Sequence, residues 1–104
     1  PEVGFEIDTY WAANFGQCDP AAEVARVRLR TPLLHIKDGP LVREQAQVAV
    51  GSGKMNIPDV IAAADSDVLE WLIVELDRCD TDMLTAVRDS YQYLTDNALG
   101  SGNV

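Results

Sequence analysis

Short runs of alternating apolar and polar residues recur along the chain, and stretches with helical spacing separate them. Residues 3–8 put Val3, Phe5 and Ile7 on one face of an extended segment and Gly4, Glu6 and Asp8 on the other. Residues 33–38 put Leu34 and Ile36 on one face and Leu33, His35 and Lys37 on the opposite one, and Gly39-Pro40 ends the run. Gln47-Val48-Ala49-Val50 predicts a brief third strand before the tight loop Gly51-Ser52-Gly53. Residues 69–77 predict a fourth strand, with Leu72, Val74 and Leu76 on one face and Trp71, Ile73, Glu75 and Asp77 on the other.

Between these runs, Thr9 to Gln17 reads as a loop carrying Tyr10, Trp11 and Phe15. Asp19-Pro20 starts a helix, with Asp at the N-cap and Pro at the first helical position, and Thr31-Pro32 stops it after about Leu29. Leu41 to Ala46 has room for little more than one turn. Asn56 caps a helix with Pro58 in its first turn, and Val60, Ile61 and Ala64 form its apolar face. A last helix begins near Asp80-Thr81, its core stripe running through Met83, Leu84, Val87, Tyr91 and Leu94. Strands alternating with helices predict an α/β fold with a parallel sheet and right-handed crossovers, in one domain over residues 1–104.

Composition narrows the function classes. The formal net charge of −9, from 17 acidic and 8 basic residues, suits neither the phosphate backbone of nucleic acid nor an anionic membrane. No run approaches the ~20 apolar residues needed to span a bilayer. Pro1-Glu2-Val3-Gly4-Phe5 has no signal-peptide pattern, and Cys18 and Cys79 lack motif spacing. They read as free thiols of a cytoplasmic protein, with a single disulfide as the alternative. The chain begins inside a predicted strand and ends in Gly100-Ser101-Gly102-Asn103-Val104, which points to a missing beginning and a natural C-terminus.

Polar groups gather at the C-terminal ends of the strands, where parallel α/β folds place their sites. Asp8, His35 (the one histidine) and Glu75 all fall on the face opposite the aliphatic set. A carboxylate, an imidazole and a second carboxylate converging there would suit Mn²⁺, Mg²⁺, Co²⁺, Fe²⁺ or Zn²⁺. Such a metal polarises a carbonyl and hydroxyl on adjacent carbons, and a neighbouring carboxylate can then move a proton at carbon. Each residue also has a structural reading: a strand histidine satisfied by hydrogen bonds, and an aspartate capping the next turn. An inward carboxylate such as Glu75 is costly to bury unless it is paired or bound to a cation. Glu6 reads as the structural partner of a Lys or Arg.

Four pieces carry a resemblance: Glu6-Ile7-Asp8-Thr9-Tyr10-Trp11, Leu34-His35-Ile36-Lys37-Asp38-Gly39, Val50-Gly51-Ser52-Gly53 and Val74-Glu75-Leu76-Asp77. In this order they resemble the sugar phosphate isomerase/epimerase family, of the xylose isomerase-like TIM barrel superfamily, and Asp82 to Leu94 fits the same pattern. The resemblance implies a divalent metal held by Glu, Asp, His and Glu on strands four, five, six and eight. The Asp matches Asp8, the His His35, and the last Glu Glu75, which would double as a catalytic acid/base. Lys37 matches a substrate-contacting position, Trp11 a wall of the sugar pocket, and Arg43, more loosely, a phosphate or hydroxyl contact. The first Glu has no match.

The chain then corresponds to the C-terminal half of the barrel: a parallel half-barrel (βα)4 of strands five to eight, with helix six reduced to a turn. The related apurinic-site endonucleases place Asp and His before the glycine motif, where Gln45 and Gln47 stand here, and this disfavours phosphodiester chemistry. The implied activity is metal-dependent isomerisation or epimerisation of a small sugar or sugar phosphate by proton transfer at carbon. The alternative is a non-catalytic half-barrel that binds metal or ligand without turnover. Bare edges and one uncovered face predict a homodimer approximating a full barrel.

Overall fold

The computed structural model describes residues 3–14 and 18–102. Phe15 and the terminal Asn103-Val104 lie outside the described residues. Three strands, β1 (Glu6–Asp8), β2 (Leu33–Ile36) and β3 (Trp71–Val74), form one sheet in the order β1-β2-β3. Both pairings are parallel, with Asp8 opposite His35 and His35 opposite Ile73. The helices are α1 (Thr9–Asn14), α2 (Pro20–Val27) with a 3₁₀ turn at Arg28–Arg30, α3 (Ile57–Ala62) and α4 (Met83–Asp96).

The parallel α/β half-barrel class stands, but the strand count differs from expectation. Residues 47–50 form no strand. They make two isolated bridges, Asp38 with Val48 (antiparallel) and Gln47 with Cys79 (parallel). The reason is the register: β2 pairs directly with β3 from Leu33↔Trp71 to Ile36↔Val74, so no strand can lie between them. A four-residue apolar run carries too little periodicity to distinguish a strand from a buried loop. The three strands therefore head three βα units rather than four, and residues 37–56 belong to a single β2-to-α3 connection.

Asp38 organises that connection. Its carboxylate is fully buried. Oδ1 accepts from Gly39 N (2.8 Å) and Met55 N (3.0 Å), and Oδ2 from Gly51 N (3.0 Å) and Gly53 N (3.1 Å). Gly51 sits at φ +96°, where a Cβ would also meet the ring of Tyr93.

Helix caps follow local chemistry. Asp19 accepts from Ala21 N, Asn56 from Asp59 N and Asp82 from Thr85 N. The segment after Asp8, expected as a loop, is helical because Asp8 Oδ1 accepts from Trp11 N at 3.1 Å. Val24, Leu34, Ile36, Val50, Ile57, Val60 and Leu94 form the core, with Ile7, Leu72 and Val74 packed on it as expected, whereas Val3 and Phe5, expected on the same face as Ile7, precede β1 and are exposed. The stripe on α4 also departs from expectation. Ala86, Ser90 and Leu94 are buried, whereas Met83, Leu84, Val87 and Tyr91 are exposed. Small residues let α4 approach closely, and Ser90 Oγ accepts from Val50 N at 2.8 Å while donating to Ala86 O. Cys18 and Cys79 are both free. Among the described residues no helix is long and apolar enough to cross a membrane.

Candidate metal and proton-transfer site

Period-two geometry delivers Glu6 and Asp8 from β1, His35 and Lys37 from β2, and Glu75 and Asp77 from β3 to the face opposite the aliphatic core. Glu75 and Asp77 stand just past the end of β3, and Glu75 N extends the ladder by donating to Ile36 O at 3.2 Å. Asp8, His35 and Glu75 converge: one ligand atom from each lies within 4.8 Å of the others. His35 Nδ1 faces Asp8 Oδ2 and Glu75 Oε2, at 3.6 Å from each. These donors fit a divalent ion in type, being two carboxylates and an imidazole.

Lys37 is the centre of charge. Its side chain is 1% exposed, and Nζ lies 2.5 Å from Asp8 Oδ2, 2.8 Å from Glu75 Oε1 and 2.9 Å from Asp77 Oδ2. Burial alone would lower the ammonium pKa, but hydrogen bonding to Asp8, Glu75 and Asp77 outweighs it and raises the pKa above the ordinary lysine range. Asp77 shows the converse. Desolvation pushes its pKa up, but hydrogen bonds from Lys37 and from Trp11 Nε1, the latter at 2.9 Å, bring it below the usual carboxylate range. Trp11 also stands edge-on to Tyr10 and presents its ring to Lys37, with Nζ 5.4 Å from the ring centroid. Arg43 is exposed on the connection after β2.

Glu6 was expected to pair with a Lys or Arg. Its Oε1 instead lies 2.5 Å from His35 Nε2: Asp8 stands opposite His35 in the register, and Glu6, two residues earlier on β1, shares their face and reaches the ring diagonally. Gln47, treated in the sequence only as a missing ligand, is a buried clamp. Its Oε1 accepts from Asp77 N (2.9 Å) and Arg78 N (3.0 Å), and its own N donates to Arg78 O. That clamp fixes the turn carrying Asp77 beside Lys37. No pattern in the sequence announces it. For Asp77 the signal was available, since it shares a face with Glu75.

No protein-family model matches the chain, and no curated protein does. A solved structure does match: a sugar phosphate isomerase/epimerase from Parabacteroides distasonis, 31% identical, superposing with a TM-score of 0.77 over 96% of this chain. The match covers 33% of that protein, so the chain spans about a third of its length.

Proposed function

We infer that the chain is part of a sugar phosphate isomerase/epimerase, and we propose that it supplies such a barrel with its metal-binding and proton-transfer face. The observation that carries this reading is the convergence of Asp8, His35 and Glu75 within 4.8 Å, in a chain that superposes on part of a sugar phosphate isomerase/epimerase. Asp8, His35 and Glu75 would hold a divalent cation, which supplies Lewis acidity toward a carbonyl and hydroxyl on adjacent carbons.

The chain's own residues do the rest. Lys37 grips Glu75 through Oε1 and leaves Oε2 turned toward His35 Nδ1. Of the two candidate ligand carboxylates, Glu75 is the more exposed, 40% against 23% for Asp8, and it moves the proton at carbon. Trp11 walls the substrate space above Lys37, and Arg43 is proposed to meet a phosphate or hydroxyl of the substrate. The substrate class is a small sugar or sugar phosphate.

Manganese titration and solvent proton exchange test this reading. The full chain is expected to bind Mn²⁺ and to catalyse Mn²⁺-dependent exchange of a ketose carbon-bound proton. Glu75→Gln should lose exchange, whereas Glu70→Gln, at an exposed position before β3, should keep it. Exchange that survives in Glu75→Gln overturns the role of Glu75. Failure of the chain to bind Mn²⁺ at millimolar concentration overturns the metal site.

Exposed apolar surface favours a partnered state, and we propose a homodimer that brings two such faces together. The outer edges of β1 and β3 have no strand partner among the described residues. Beside the β3 edge runs a groove lined by Trp71, Leu72, Tyr91 and Leu94. A half-barrel that pairs and binds metal or ligand without turnover is the second reading. It predicts Mn²⁺ binding without proton exchange.

A further inference from the structure

We propose that Glu6 is a positioning residue that sets the tautomer of His35, holding the Nε2–H proton so that the Nδ1 lone pair faces Asp8 and Glu75. The inference rests on the metal reading above for its purpose, but not for its evidence.

The distances carry it. Glu6 Oε1 lies 2.5 Å from Nε2, whereas the two carboxylates on the other side of the ring stand 3.6 Å from Nδ1, too far for a hydrogen bond. A neutral imidazole carries one N–H and one lone pair, and a carboxylate in contact with one nitrogen draws the proton there. Glu6 is therefore the acceptor that captures the proton. Nδ1 is left as a donor atom within a set of two carboxylate oxygens. A ligating histidine is commonly oriented by a carboxylate on its other nitrogen, and loss of that carboxylate costs about 10–100-fold in metal affinity.

The remaining surroundings agree. Lys37 Nζ engages Asp8, Glu75 and Asp77, and none of its ion pairs goes to Glu6. In the β1–β2 register Asp8 stands opposite His35 and Glu6 opposite Leu33, so Glu6 lies on the same face as His35, one diagonal step away, within reach of a long side chain. Glu6 is half-exposed, with its side chain 44% accessible, so its replacement leaves the aliphatic core intact.

Because His35 is the only histidine, nitrogen-15 spectra of the imidazole report on this one ring. At pH 8.5, with no metal added, the wild-type chain is expected to show a protonated Nε2, a pyridine-like Nδ1 and a slowly exchanging Nε2–H signal. Glu6→Gln keeps an acceptor oxygen and should preserve this signature. Glu6→Ala should lose the slow Nε2–H signal and shift population toward Nδ1–H, since Asp8 and Glu75 are then the remaining acceptors. Mn²⁺ affinity should fall about 10–100-fold in Glu6→Ala and recover most of the way in Glu6→Gln. An Nδ1–H wild type, or a Glu6→Ala spectrum identical to wild type, overturns the proposal. If the tautomer responds as expected but no variant binds Mn²⁺, the positioning role stands and the metal reading fails.

Discussion

Lys37 Nζ lies 2.5 Å from Asp8 Oδ2, the same oxygen that faces His35 Nδ1 at 3.6 Å, so this candidate ligand already has an internal cation beside it. The same ammonium reaches Glu75 and Asp77. Without it, three carboxylates would crowd one end of the sheet with no positive charge among them except a protonated His35 or an ion taken from solution.

Replacing Lys37 by Met keeps the buried stem and removes the charge. The carboxylate side chains of Asp8, Glu75 and Asp77 are 23%, 40% and 45% exposed, so water absorbs part of the repulsion. The expected loss is about 2 kcal/mol, below the roughly 3–5 kcal/mol of a fully buried pair broken on one side. Urea denaturation in metal-free buffer measures it, and added Mn²⁺ should restore part of the loss by binding the folded state. A variant as stable as wild type would show that solvent alone compensates these groups.

Stability should depend on pH at both ends of the scale. Lys37 has a raised folded-state pKa, so its contribution is complete below the unfolded lysine value of about 10.4 and is lost as pH rises through the folded value. Asp77 has a lowered folded-state pKa, so its contribution is present above about 3.9 and is lost as pH falls through the folded value. Unfolding midpoints should therefore be level for this cluster from about pH 5 to about pH 10 and decline on either side. In Lys37→Met the alkaline decline should shrink, and comparison of the two profiles isolates it.

Asp38→Ala should loosen the connection between β2 and α3. Four backbone N–H groups lose a buried charged acceptor, and those near the surface find water instead. A destabilisation of about 3 kcal/mol is expected. Amide hydrogen exchange should accelerate at Gly51, Gly53 and Met55 before it does in β2. Unchanged protection at those amides would count against Asp38 as the organiser.

Sedimentation should show self-association at micromolar concentration. Leu84, Val87 and Tyr91 are exposed on α4, and Trp71 is 57% exposed at the β3 edge. Uncovered apolar surface and open strand edges of this kind pair with another chain. Leu84→Lys combined with Tyr91→Lys should shift the equilibrium toward monomer without unfolding the chain. A wild-type chain that sediments as a stable monomer excludes the homodimer.

Much of this was legible in the sequence. Alternation along residues 3–8, 33–38 and 69–77 placed Asp8, His35 and Glu75 on one face before any contact was known, and the parallel sheet brings them together. The strand assigned to residues 47–50 was not legible, because Val48 and Val50 owe their apolar character to a buried loop anchored on Asp38 and Ser90. The stripe on α4 misled for a related reason. Helical spacing names two candidate faces, and the sheet accepted the one with Ala86 and Ser90 because small side chains allow closer approach.

What the sequence by itself determined is local: the strand faces, the caps at Asp19 and Asn56, and the inward direction of the polar set. Each depends on a spacing of a few residues and on backbone periodicity. Partner choice was decided only by the tertiary structure. Lys37 meets Asp77 across 40 positions, Gln47 reaches Asp77 across 30, and Glu6 takes His35 rather than a basic residue. Those pairings depend on strand register, and register is set by how the whole aliphatic core packs rather than by any one segment.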